Sequence, residues 1–178
     1  MAKAHKISGV KPLGSYRENA RIILPEKVEE VYTWEPFVRD AARREELHNM
    51  RISIKRLRYT MELFRVVYEF PEECSKDAVA ADDKRFAEFF AIIVDLQEIL
   101  GDIHDCDVVL QVLTDYTCQS ASDAVVLGSL SATGKAGIDR LIDQTRETRK
   151  ADYKKFLEKW DQLSAVDFKR KLLSFFLT

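Results

Sequence analysis

Arg44, His48, Arg51, Lys55 and Arg58 are spaced four, three, four and three residues apart. On an α-helix of 3.6 residues per turn, that spacing lays them in one narrow row, and Arg65 continues it about two turns further on. The chemistry open to such a row is anion binding. Arg grips a phosphate through two parallel hydrogen bonds, and Lys acts as a point charge. His48 adds a donor when protonated, below about pH 6.5 if unperturbed. A neutral His48 hydrogen-bonded inside a bundle is the equal alternative.

A second row runs beside the first: Leu47, Met50, Ile54, Leu57, Met61 and Phe64. Offsets of three and four mark it as the core face of the same helix. The cations therefore flank the core seam rather than opposing it. Like charges four apart repel by a few tenths of a kcal/mol, and within the row only Glu62 interrupts them. A polyanion or buried carboxylates would compensate. The bland alternative is that long side chains cover apolar surface and leave their charge in water. Periodicity leaves both readings open. Arg56 points away from the row and reads as a solvated chain of that kind.

The elements that must position the row are helical. Leu, Glu, Lys, Arg and Ala are abundant, Gly and Pro number only 6 and 4, and no stretch alternates with period two. Residues 1–14 read as a basic arm with a turn at Pro12 to Gly14, and 15–178 as a single helical domain. Ser15 and Glu18 make a capping box for a first helix that Pro25 kinks or interrupts. Trp34 to Pro36 breaks the chain. The longest periodic stretch, 37–68, carries the cationic row and stops at Pro71. Residues 72–83 read as an acidic linker. Phe86, Phe89, Phe90, Ile93, Leu96 and Leu100 form the stripe of a helix over 84–100 that Gly101 ends as a left-handed cap. Asp102 or Asp105 then caps a helix to about Cys118, and 119–137, rich in Ser, Ala and Gly, is either a short helix between loops or a mobile connection. Residues 135–163 are helical again, and a short helix ends the chain.

Composition excludes other classes. The 178 residues are 46% hydrophobic and 33% charged, which is neither disordered nor collagenous. No apolar run approaches the ~20 residues of a membrane span. Met1 to Lys11 lacks the apolar centre of a secretory signal, and the 3 cysteines form no disulfide framework; both point to the cytoplasm. The net charge of −2 hides a separation: residues 1–21 hold 5 basic and 1 acidic residue, whereas 72–123 holds 3 basic residues among a large acidic excess. A one-signed groove concentrates counter-ions.

The segment His48-Asn-Met-Arg51-Ile-Ser-Ile-Lys55-Arg56-Leu-Arg58-Tyr59 resembles the signature helix of the CHAD family, the conserved-histidine α-helical domain. Leu96-Gln-Glu-Ile-Leu100-Gly101-Asp-Ile-His104-Asp105-Cys-Asp107-Val108 resembles that family's second motif, with His104 where Arg or Asn is common. Gly9 to Ile23 is similar to its N-terminal arm and first helix, and Arg146 to Trp160 to a later basic-aromatic helix. The resemblance implies an all-α bundle of two related four-helix halves, the second trimmed in so short a chain. It also implies non-catalytic binding of inorganic polyphosphate or a similar polyanion. Arg17 and Arg21 would join the row of Arg44, His48, Arg51, Lys55 and Arg58, and Arg146, Arg149 and Lys150 would supply a second track. Arg39 and Arg43 would extend its entrance.

Two alternatives have weaker support. A metal-dependent enzyme would draw on His48, His104, Asp105 and Asp107, but only Glu45 lies three residues ahead of a histidine, and bundle metal sites use that spacing twice. Asp105 and Asp107 read better as helix-start residues or as partners that hold arginines. No P-loop or dinucleotide loop is present, so no cofactor or metal is expected. An RNA- or protein-binding adaptor would use Tyr16, Tyr59 and Tyr153 beside basic residues. No sequence feature fixes the oligomeric state.

Overall fold

The computed structural model describes the backbone of residues 7–69, 76–123 and 132–177, and the side chains of 7–68, 83–118 and 134–177. Its elements are α1 (Tyr16–Tyr32), a 3-10 turn (Glu35–Phe37), α2 (Arg44–Glu69), α3 (Lys76–Asp123), α4 (Ala132–Ala165) and α5 (Phe168–Leu177). Among the described residues there is no strand, and the chain is an all-α helical bundle. The five α-helices among the described residues are fewer than two complete four-helix halves would need. The chain divides into two compact units, one of residues 1–98 and 157–178, the other of 99–156.

The first unit begins as its sequence implies. Gly14 N donates to Lys11 O at 3.0 Å, closing the Pro12–Gly14 turn. Ser15 Oγ accepts from Glu18 N at 3.1 Å, and Glu18 Oε2 accepts from Ser15 N at 2.9 Å, so two of the helix's orphan donors are satisfied. Pro25 does not interrupt α1. Its ring forfeits one backbone bond, but Ala20, Leu24, Val28 and Val31 are buried on both sides of it and hold the helix together.

Helix α2 starts at Arg44, seven residues later than the periodicity suggested, because residues 35–43 are taken up by the 3-10 turn and further turns. Leu47, Met50, Ile54, Leu57, Met61 and Phe64 are all buried. α1 packs antiparallel on α2: Tyr16 meets Phe64, Glu30 meets Arg56, and Trp34 meets Ser53. An aromatic cluster holds α5 in place. The Tyr68 ring stacks on Phe86 at 4.9 Å and Phe175 at 5.1 Å, and Phe89 sets its edge to Phe175 at 5.3 Å.

Two expectations for α3 are overturned. The helix begins at Lys76, within the stretch read as an acidic linker, and residues 72–75 of that stretch lie outside the described residues. Acidic residues near a helix start favour the dipole, so their density does not argue against helix. Gly101 does not end a helix either: α3 runs through it for 48 residues without a positive φ. A mid-helix Gly costs only about 1 kcal/mol, and Leu96, Ile99, Leu100 and Ile103 bury apolar surface on either side of it. Asp102 and Asp105 are consequently mid-helix residues, not caps. Of the connection expected over 119–137, residues 119–123 continue α3, 132–137 open α4, and 124–131 lie outside the described residues.

Candidate anion-binding face

The row on α2 is held at a fixed height by the buried seam beside it. Along it the counter-charges differ. Lys55 is exposed, Arg51 is half-buried, and neither has a carboxylate partner among the described residues. The Nε of Arg51 is buried and has no hydrogen-bond acceptor among the described residues. Arg58 is held: its Nε and Nη2 donate to Glu62 Oε1 at 3.1 and 3.0 Å, and its Nη1 to Gln97 Oε1 of α3 at 3.5 Å. The exposed ring of Tyr59 lies 5.8 Å from the Lys55 ammonium and 5.5 Å from the Arg58 guanidinium. Arg44 and Arg65 are exposed and His48 half-buried on the same helix.

The other expected contributors are placed as follows. Arg17 Nη2 donates to Val67 O at 3.0 Å, near the C-terminal end of α2, where a cation favours the helix dipole. Arg21 is exposed one turn further along α1. Arg39 pairs with Asp161 at 2.6 Å, and Arg43 with Glu46 at 3.1 Å and Asp40 at 3.7 Å. Both therefore have carboxylate partners.

In the second unit, Arg149 is buried, and its Nε and Nη2 donate to the two carboxylate oxygens of Asp107 at 2.7 and 3.1 Å. Asp107 is thus the arginine-holding partner that the sequence allowed. Arg146 is exposed beside Asp143 at 3.3 Å, and Lys150 is exposed without a carboxylate partner among the described residues. Burial, with Asp152, Asp107 and Asp102 nearby, pushes the Cys106 thiol up and away from the reactive thiolate. Among the described residues no group of three or more His, Cys, Asp or Glu is placed to hold a metal ion, and no helix is long and apolar enough to cross a membrane.

Arg56 departs from the sequence reading. It is not a solvated chain: its guanidinium reaches Glu30, whose other oxygen takes Lys27 Nζ at 2.7 Å. Ser53 completes the group, accepting from Trp34 Nε1 at 3.0 Å. Burial is the largest single influence on Glu30 and disfavours its charge. The hydrogen bonds from Lys27 and Arg56, with their charges, outweigh it and hold the carboxyl below its usual range. A sequence signal for this existed: Lys27 and Glu30 fall within the apolar spacing of Leu24, Val28 and Val31.

The fold and this face define a helical domain with a cationic row beside its core. The sequence model of the CHAD domain matches residues 15–114, more than half of the chain, and the chain belongs to that family. CHAD domains are generally binding domains, associated with proteins that bind polyphosphate or triphosphate. No curated protein and no solved structure matches the chain.

Proposed function

We propose that the protein binds inorganic polyphosphate, or a polyanion of similar charge spacing, along α2 and without catalysis. The observation that carries this reading is the state of Arg51. A buried N–H with no acceptor costs about 1–3 kcal/mol, and Arg51, whose Nε has none among the described residues, stands one turn from Lys55, a second cation that lacks a carboxylate among them. An anion laid over that pair neutralises both charges and accepts from whatever N–H groups of the half-buried Arg51 reach the surface. The ten residues from His48 to Arg58 rise roughly 15 Å, enough for several neighbouring phosphates. A polymer without bases needs no recognition code, only repeated donors.

Within the first unit the row is Arg44, His48, Arg51, Lys55 and Arg58, with Arg17 and Arg21 on α1. In the second unit, taken by itself, Arg149 holds α3 to α4 through Asp107, and Arg146 and Lys150 are exposed cations on α4. Tyr59, exposed between two cations, favours a second reading as a stacking platform for single-stranded RNA. Competition separates the two, since free polyphosphate displaces RNA if phosphates alone are read.

The test is a titration against inorganic polyphosphate over a salt series. Counterion release makes affinity fall steeply with salt, by analogy with nucleic-acid phosphates. Arg51→Glu combined with Lys55→Glu abolishes binding and leaves helical content intact by circular dichroism. Unchanged affinity in that double variant overturns the site.

A further inference from the structure

The cationic row contains one residue of the wrong sign. Glu62 lies seven residues beyond Lys55, two turns along the helix, so it stands in the row itself rather than beside it. Its only partner among the described residues is Arg58, which it engages through one oxygen, Oε1.

We propose that Glu62 is a built-in counter-ion that ends the anion track at Lys55, and that a long polyphosphate chain must displace it to reach Arg58. The inference rests on the polyphosphate reading and adds to it a dependence on chain length.

Three features make Glu62 displaceable. The pair is of the i,i+4 type with its cation on the N-terminal side, the weaker order on a helix. Both side chains are partly exposed, 29% for Arg58 and 41% for Glu62, and such pairs are easily exchanged. Finally, Glu62 offers one oxygen to two nitrogens, whereas a phosphate can give Nε and Nη2 an oxygen each in parallel. Gln97 stays on Nη1 throughout and keeps the guanidinium aimed. Lys55 Nζ at 5.8 Å and the Arg58 guanidinium at 5.5 Å approach the same Tyr59 ring, so an anion leaving Lys55 meets Arg58 next.

A short anion such as tripolyphosphate needs only Arg51 and Lys55, which are separated by a rise of about 6 Å. It never meets Glu62. A long chain does, and its own negative charge adds repulsion until the carboxylate swings away.

The test uses the full chain, as wild type, Glu62→Gln, Arg58→Gln and the double variant. Each is titrated with inorganic tripolyphosphate and with long-chain polyphosphate over a salt series, after circular dichroism has shown matching helical content. Glu62→Gln should tighten long-chain binding about fivefold, the effect of removing one like charge near an anion at a protein surface. Its salt slope should steepen by about one, for one more cation engaged. Tripolyphosphate affinity should change less than about twofold, because the carboxylate lies beyond its reach. In the Arg58→Gln background the long-chain gain should vanish. An equal gain for both ligands, or a gain that survives Arg58→Gln, would be a diffuse charge effect and overturns the proposal. Failure of all four proteins to bind either ligand overturns the polyphosphate reading itself, a different pattern from failure of the Glu62 device alone.

Discussion

Glu30 on α1 and Arg56 on α2 form an ion pair across the helix interface, with the carboxylate almost wholly buried. Lys27 closes on the same carboxylate from its own helix at 2.7 Å. Two cations and one anion thus lie beside the seam that carries the candidate face. Such a group fixes register more than it adds stability, because desolvation offsets much of the attraction. Removing one member is another matter, since the remainder is left charged and buried.

Glu30→Gln should therefore destabilise the protein by about 3 kcal/mol, the scale for breaking a buried pair, as read from urea unfolding. The pH dependence has a definite sign. The folded carboxyl is held below the ordinary value of 4.5, so its contribution is full above that value and lost as pH falls through the folded one. Below about pH 4.5 the wild type should lose stability faster than Glu30→Gln, and the two curves should converge. Parallel curves would show that Glu30 is not the group responsible.

Arg149 and Asp107 form the matching tie in the second unit. Arg149→Met leaves a carboxylate with little solvent, and Asp107→Asn leaves a buried guanidinium; each should cost about 3 kcal/mol. The double variant should cost clearly less than the sum, with a coupling of about 2 kcal/mol in a double-mutant cycle. Hydrogen exchange over residues 99–156 checks where the loss falls. Additive effects would mean the pair is not a unit.

How much of this was legible follows from the range over which each signal acts. The six apolar residues from Leu47 to Phe64 and the Ser15–Glu18 box are short-range patterns, and both stand as read. The stop at Gly101 is also short-range, but it weighs only about 1 kcal/mol. Burial of Ile99, Leu100 and Ile103 beside it is decided by packing and outweighs it. Arg56 was misread for another reason. A helical wheel places it off the cationic row but cannot say what it meets, and Glu30 is 26 residues away on a different helix. On the candidate face, the order of cations was visible in the spacing. Which of them already has a carboxylate was not, apart from the anomaly of Glu62.

Arg51 separates stability from binding. Its buried Nε lacks an acceptor among the described residues, so Arg51→Met keeps much of the apolar stem and removes the unsatisfied donor. The free protein should then be as stable or more stable, by up to about 1 kcal/mol, in thermal unfolding. Polyphosphate affinity should fall at the same time. A residue serving only the core would lose stability on substitution and leave binding untouched, which is the opposite result.

Gly101 supplies a test of sign. A Cβ built there meets nothing within 4 Å, and the backbone is helical. Gly101→Ala should stabilise the protein by about 0.5–1 kcal/mol, because Ala has less chain entropy to lose on entering a helix. At a left-handed helix cap the same substitution would destabilise, since Ala resists a positive φ. Thermal unfolding decides between them, and hydrogen exchange around residue 101 locates the effect. A lower melting temperature would mean that α3 is broken at this glycine, as its local sequence suggests. A higher one follows from a continuous helix, in which burial on both sides carries the chain through a weak stop.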